Sequence, residues 1–535
     1  MLNLEYFPAS WAVTGLIGIT TVILLYWYST NNHDYWAKRG IPFDKPVPFL
    51  GSFYAYFKKP LHEVELDRHL KYGSVYGHFE GTKPVLSVGD PTLLRDILVK
   101  DFAAFPSHRS LETGNKVFDS MLSNMKGDEN WKRIRTIVTP TFTTGKIKRM
   151  LGIFKECSKI LVQNFKNIAK EGKHVDAKGL YAAFSMDVIA SSAFSTKIDS
   201  HSDPNNQFVT TTKQVFSKEQ RWRFLLWFTV PRLVKFLRMK VIPEDMISFF
   251  KNATLQIIEE RKRTGQTRND FLQLLMDTAK ETDDGDDKDD GDIASNYGVH
   301  EDIHPQILRN VTAKDLSKDE LVAQCIIFFI GGHETAAVTL SFASYLLALH
   351  PDSQDRVRQE VDRALADNGG KVTYEAIKDM KYLDDVISET LRLYPPALRI
   401  DRVAEFDYKL GDTGITVPKG MIVTIPIYAV HRDPNLFPDP EKFNPDRFTP
   451  EERGQRDQYS YLPFGAGPRN CVANRFALME VKVCLAHVIA SFNIKTCPET
   501  NIPLKFGLGQ GLLQPEGIIL AMEIRKESVL SDQRE

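Results

Sequence analysis

The stretch between Ser317 and Pro351 constrains the fold more than any other. Ser317 and Glu320 open it as a capping box, each side chain able to satisfy the other's backbone N–H. Pro351 ends it, because proline cannot continue a helix. The predicted helix, Lys318 to His350, would run on the order of 48 Å, long enough to cross a whole domain. Its middle, AQCIIFFIGGHETAAVTLSF, is apolar almost all round, so it must be buried on every side. Amphipathic helical patterns from about 93 to 400 supply the surrounding layers. Alternating apolar residues near 74–98 (Val75, Phe79, Val85, Leu86, Val88), broken by Gly81 and Gly89, predict a small antiparallel sheet. The expected class is mainly α with a small β region.

That buried helix breaks its own rules at the centre. Gly331 and Gly332 each cost about 1 kcal/mol relative to alanine in a helix. Glu334 is a carboxylate in a core, which is unfavourable unless paired or hydrated. Local violations of this kind mark functional sites. Thr335 beside it reads either as a proton-handling hydroxyl or as a helix threonine bonding back to its own backbone.

The N-terminus carries a second constraint. Ala9 to Tyr28 holds no charged residue and is long enough as a helix to cross a bilayer core. Trp11, Tyr26, Trp27 and Tyr28 stand at its ends, where amphipathic rings favour the interface. A cleaved signal peptide is the competing reading, but no basic segment precedes the run and no clean cleavage site follows. Residues 1–30 are therefore expected to be a single-pass anchor. Lys38, Arg39 and Lys45 follow the span, which places the body of the protein in the cytosol. Residues 31–51, with the Pro-rich run GIPFDKPVPFLG, form a stiff connector. The body is assigned to 52–527 and a tail to 528–535. Within the body, 281–292 (ETDDGDDKDDGD) reads as a solvated loop at about 280–300. The segment 221–230, RWRFLLWFTV, reads equally as core or as a lipid-surface contact. A net charge of −1, from 68 basic and 69 acidic residues, argues against nucleic acid as a partner. The five cysteines are sparse and lack CxxC spacing, which fits a reducing compartment rather than a disulfide framework or zinc site.

One cysteine differs from the rest. Around it the chain reads Phe464-Gly465-Ala466-Gly467-Pro468-Arg469-Asn470-Cys471-Val472-Ala473. The glycines permit a tight turn and close approach to a flat ligand. Arg469 suits carboxylate groups. Cys471 precedes an apolar helical stretch, 472–490, whose N-terminal dipole would favour a thiolate.

FGAGPRNC resembles the haem-binding loop of cytochromes P-450, Phe-x-x-Gly-x-Arg-x-Cys-x-Gly, with Ala473 in place of the last glycine. Glu389-Thr390-Leu391-Arg392 resembles the family's ExxR motif, and with Arg447 in FNPDRF it implies a buried Glu-Arg-Arg network. Gly331-Gly332-His333-Glu334-Thr335 resembles its oxygen-activating segment, with Ala336 and His333 as departures. Trp131 and Arg135 match its WxxxR pattern. The stretches 131–150 and 503–517 are similar to one microsomal branch, which holds vertebrate drug-oxidising enzymes, arthropod detoxification enzymes and thromboxane synthase.

The resemblance implies a single catalytic domain with the cytochrome P-450 fold, overriding the two to four domains that length alone suggests. It implies haem b, with Cys471 as the iron ligand. Trp131, Arg135, Arg402, Phe464 and Arg469 would bind the cofactor, and Glu334 and Thr335 would relay protons to dioxygen. The implied reaction is NADPH-dependent monooxygenation of an apolar substrate: a xenobiotic, a steroid or a fatty acid. Electrons would come from NADPH–cytochrome P-450 reductase, with cytochrome b5 as a further donor, because no GxGxxG follows a strand here. Lys132, Arg133, Lys146, Lys148 and Arg149 would dock that donor. Substrate contacts are expected from 105–122, 224–230, Phe329 and Ile330, 396–399 and 508–513. The location implied is the endoplasmic reticulum membrane, in contact with lipid. Two rivals are a reductase-independent isomerase of lipid peroxides and a non-catalytic haem or lipid carrier. The Glu334–Thr335 pair favours the monooxygenase over both.

Overall fold

The computed structural model describes residues 7–278 and 315–530, apart from Leu111, Ser195, Pro204, Gly509, Gln510 and most of 216–242. The acidic run 281–292 lies outside the described residues, as do 531–535 and all of 221–230 except Arg223 and Leu226.

Helix α1 spans Phe7–Thr30. Its side chains from Trp11 to Tyr28 are exposed, so this apolar helix has no protein core of its own. It is long and apolar enough to cross a membrane. The connector that follows docks on the first sheet. Trp36 is buried, and its indole donates to the His78 carbonyl at 3.1 Å. Gly77 makes room for it, since a Cβ there would sit 2.4 Å from the indole ring.

The main helices are α2 (Leu61–Tyr72), α3 (Glu129–Val138), α4 (Thr144–Lys170), α5 (Ala177–Phe194), α6 (Glu244–Thr264), α7 (Phe271–Thr278), α8 (Lys318–Leu349), α9 (Lys381–Leu393) and α10 (Asn474–Ser491). α8 is the predicted central helix, and both hydrogen bonds of its capping box form. It packs against α5, α6, α9 and α10. Gly332 marks a close approach of α5, because a Cβ there would lie 2.5 Å from Ile189 Cδ1.

The first sheet contains β1 (Val75–Glu80), β2 (Lys83–Val88), β4 (Ile400–Val403) and β5 (Ile422–Ile425), in the order β1-β2-β5-β4. β1 and β2 form the expected antiparallel hairpin, with Val75 opposite Val88. The sheet as a whole is mixed rather than antiparallel, because β2 also pairs in parallel with β5, Leu86 against Val423. That partner arrives after more than 300 residues and leaves no trace in local alternation. A second sheet holds β3 (Val175–Asp176), β6 (Phe492–Lys495) and β7 (Ile519–Ile524), in the order β3-β7-β6.

Glu389 and Arg392 on α9 are fully buried and paired at 2.7 Å and 2.8 Å. Arg392 also donates to the carbonyls of His431, Pro440 and Lys442. Arg447 Nε stands 3.5 Å from Glu389. The network clips α9 to the segment 431–447, which leads into the cysteine loop.

Candidate active site

A cavity of about 400 Å³ lies between α8, α3, the loop ahead of α3 and the cysteine loop. Its α8 wall is Gln324, Ile327, Phe328, Gly331, Gly332, Thr335, Ala336 and Thr339. That spacing of three and four is one face of a helix. Phe329 and Ile330 therefore do not line it, against expectation. Phe329 instead packs edge-on or tilted against Phe194, Phe208 and Phe250. Of the other expected contacts, His108, Leu122, Pro396 and Ala397 line the cavity. Among the described residues none from 508–513 does, and 224–230 lies outside them apart from Leu226.

Cys471 is exposed and lines the cavity. Its N–H donates to the Phe464 carbonyl at 2.9 Å, closing the loop on itself. Gly465 and Gly467 both have φ of +70°, which favours glycine. At Gly467 a Cβ would fall 1.9 Å from the Leu98 carbonyl oxygen, so the close approach there is to protein and not to a ligand. Ala473 has φ of −98°, a conformation that needs no glycine. The departure from the family pattern is thus tolerated by the backbone. Burial pushes the Cys471 thiol up, against the opposing pull of the Ala473 N–H and the Arg135 guanidinium. Desolvation therefore outweighs the helix N-terminus, which starts only at Asn474.

Arg135, Arg402 and Arg469 are all buried. Among the described residues, none of the three has a carboxylate within salt-bridge distance. Arg135 donates to the Asn470 carbonyl and side chain at 3.0 Å and 2.6 Å. Its Nε has no hydrogen-bond partner, nor do Nε and one terminal nitrogen of Arg402. Burial lowers both guanidinium groups to about 10. Arg469 lies over the Trp131 ring at 4.0 Å and donates to the carbonyls of Pro106, Leu122 and Met125. Much of its hydrogen bonding is thus spent in shaping the loop above the cavity. Arg402 does not line the cavity. It sits behind His108, 3.1 Å from Nδ1, and His108 takes the place on the wall. His108 has no sequence signal, since it lies far from every motif.

Buried cations lacking anionic partners are costly. Here three gather beside an apolar cavity whose wall also bears a thiol. This donor set fits a flat apolar cofactor with two carboxylates and a metal that takes sulfur. Arg135, Arg469 and His108, backed by Arg402, would hold the carboxylates, and Trp131 and Phe464 line the cavity beside them.

Glu334 and Thr335 are not brought together on the cavity. Adjacent helix positions diverge by about 100°. Thr335 lines the wall, and its hydroxyl donates back to the Gly331 carbonyl at 2.7 Å. The back-bonded alternative is the conformation found. Glu334 does not line the cavity, and burial raises its carboxyl against the pull of Lys178 on α5. His333 is buried, with Nε2 3.2 Å from the Ala182 carbonyl.

Glu480 on α10 escaped sequence reading, although it lines the cavity. It is 1% exposed, accepts one bond from Ser185 Oγ at 2.8 Å, and leaves Oε2 unpartnered. Burial lifts its carboxyl to about 8. The folded chain thus keeps a proton that the unfolded chain releases above about 4.3. Stability falls as pH rises from there to about 8 and then levels off. Glu480→Gln should remove that loss, a gain by pH 8 of at most about 5 kcal/mol. Denaturant midpoints of both proteins at pH 6 and pH 8 measure it, and a pH-independent difference would refute the protonated state.

The family model for cytochrome P-450 matches residues 41–299 and 303–522. Cytochrome P-450 3A13 of Mus musculus is 38% identical over 526 residues, covering 97% of this chain and 98% of the relative. Cytochrome P-450 3A9 of Rattus norvegicus is 38% identical, with 97% and 98% covered. Cytochrome P-450 3A7 of Homo sapiens is 38% identical, with 96% and 97% covered. The family carries haem and works with a redox partner, an organic substrate and dioxygen. With cavity, thiol and family in agreement, the chain belongs to the cytochrome P-450 family and is a haem-dependent monooxygenase.

Proposed function

We propose that this protein is an NADPH-dependent monooxygenase of apolar small molecules, with haem b ligated by Cys471. The supporting observation is the Cys471 thiol opening onto an apolar cavity beside three buried guanidiniums that lack carboxylate partners. When bound, haem supplies the iron at which dioxygen is reduced and its O–O bond is split. Cys471 offers the sulfur ligand, while Arg135, Arg469 and His108 orient the carboxylates. Thr335 presents its hydroxyl to the cavity with lone pairs left to accept, because its proton is engaged by Gly331. Glu334, which holds its proton more tightly than a surface carboxyl, serves as the proton source. Water would connect the two, since they face different sides of α8. The apolar wall excludes other water and selects apolar substrates: xenobiotics, steroids or fatty acids.

Electrons come from NADPH–cytochrome P-450 reductase, with cytochrome b5 as a second donor. Lys148 and Arg149 are exposed and suited to acidic partners. Arg133 is instead tied to Glu320 and the Asp315 carbonyl. α1 anchors the enzyme in the endoplasmic reticulum membrane, with the catalytic body in the cytosol.

Reconstitution with the reductase in lipid vesicles tests this reading. NADPH and dioxygen consumption should match product from a steroid or fatty-acid probe. Thr335→Ala should keep NADPH oxidation but divert it to hydrogen peroxide, cutting product per NADPH on the order of 10–100-fold. Glu334→Gln should slow product without weakening substrate binding. Product formed without reductase would instead indicate the peroxide isomerase.

A further inference from the structure

Far from the cavity motifs, at one end of the second sheet, three metal-ligating side chains meet. His174 immediately precedes β3, while Cys497 and Glu499 lie in the turn after β6. The ligand atoms of all three lie within 4.8 Å of one another. His174 Nδ1 is 2.7 Å from Glu499 Oε2. Two segments more than 300 residues apart thus place an imidazole, a thiol and a carboxylate at one point.

The backbone beneath them is fixed. β3 pairs with β7, Val175 opposite Leu520, and β7 pairs with β6, Ile494 opposite Met522. Thr500 locks the turn: its Oγ1 accepts from the Cys497 N–H at 2.9 Å and donates to the Ile519 carbonyl at 2.7 Å. The Thr500 N–H closes on the Cys497 carbonyl at 2.9 Å. Ligands on a rigid frame lose little entropy on binding. His174 and Glu499 are exposed and Cys497 is half-buried, so an ion could reach them and solvent could complete the shell.

We infer that His174, Cys497 and Glu499 form a surface site for one zinc ion, with water as the fourth ligand. Zinc takes N, S and O donors tetrahedrally at about 2.0–2.3 Å, which sets ligand atoms roughly 3.3–3.8 Å apart. The three donors here need to move by about an ångström or less to meet that spacing. The thiol proton leaves as the ion enters, so binding releases a proton and weakens at low pH. The ion would staple the segment ahead of β3 to the β6–β7 connection. Cys157, Cys325 and Cys484 are buried and do not compete.

The test uses the full-length haem-loaded protein, stripped of adventitious metal and titrated with zinc chloride against a fluorescent zinc chelator. One zinc per chain is expected. Zinc-edge X-ray absorption should show one sulfur at about 2.3 Å with nitrogen and oxygen at about 2.0 Å. Cys497→Ser and His174→Ala should each weaken binding by about 100-fold or more, beyond the 10–100-fold cost of losing a supporting residue. Glu499→Gln should weaken it less, and the haem spectrum should stay unchanged in all three. Should Cys497→Ser fail to fold, His174→Ala with the absorption spectrum decides alone. No bound zinc, a shell without sulfur, or equal affinity in the variants would overturn the site and leave an adventitious ion only.

Discussion

Cys471→Ser is expected to abolish the strongly red-shifted Soret band of the reduced carbon monoxide complex, and with it all reductase-driven turnover. The substitution changes one atom on the cavity wall. The loop around it is held by the Cys471 N–H to Phe464 bond and by the positive φ of Gly465 and Gly467, none of which involves sulfur. The fold should survive, as a circular dichroism spectrum would show. Haem would then be held only through its carboxylates, by the proposed Arg135, Arg469 and His108, so its spectrum reports the lost ligand directly. A serine hydroxyl ionises far less readily than a thiol and donates less electron density to a metal. A variant that kept the red-shifted band would show that another residue ligates the iron, and the assignment of Cys471 would fall.

Glu389→Ala should have the next largest effect, on folding rather than on chemistry. Arg392 is fully buried, and its five donors are matched by Glu389 and three backbone carbonyls. Removing the carboxylate strands a buried cation, which costs about 3–5 kcal/mol. That is a large share of a stability on the order of 5–15 kcal/mol. The Asn444 N–H, 2.9 Å from Glu389, loses its acceptor as well. Little haem-loaded protein should accumulate, and what does should melt far below the wild type. Glu389→Gln keeps the shape and loses the charge, so it should fall between the two. Arg392→Lys should fail like Glu389→Ala, because three donors cannot replace five. Equal melting temperatures for wild type and Glu389→Ala would show the network to be dispensable.

The legible parts of this protein were those whose physics is local. Helix period, capping and proline placement act within a few residues, so α8 and its capping box could be read before the fold was known. The same holds for the β1–β2 hairpin and for the glycines of the cysteine loop. Glu389 and Arg392 share one helix face, so their pairing also followed from spacing. Local reading was least reliable about direction. It grouped Glu334 with Thr335, although neighbours on a helix face different ways, and it placed Phe329 on a wall it turns away from.

By itself the sequence determined the family, the glycine turns of the cysteine loop, the buried central helix and the charge-free N-terminal span, because each rests on contiguous residues. Only the tertiary structure decided which side of α8 faces the cavity, and that His108 rather than Arg402 reaches its wall. It alone decided that Glu480 is buried with a single hydrogen bond, and that His174 meets Cys497 and Glu499. The parallel pairing of β2 with β5 belongs with these. Each depends on desolvation or contact between segments distant in the chain, and no pattern within one turn or one strand encodes such a meeting.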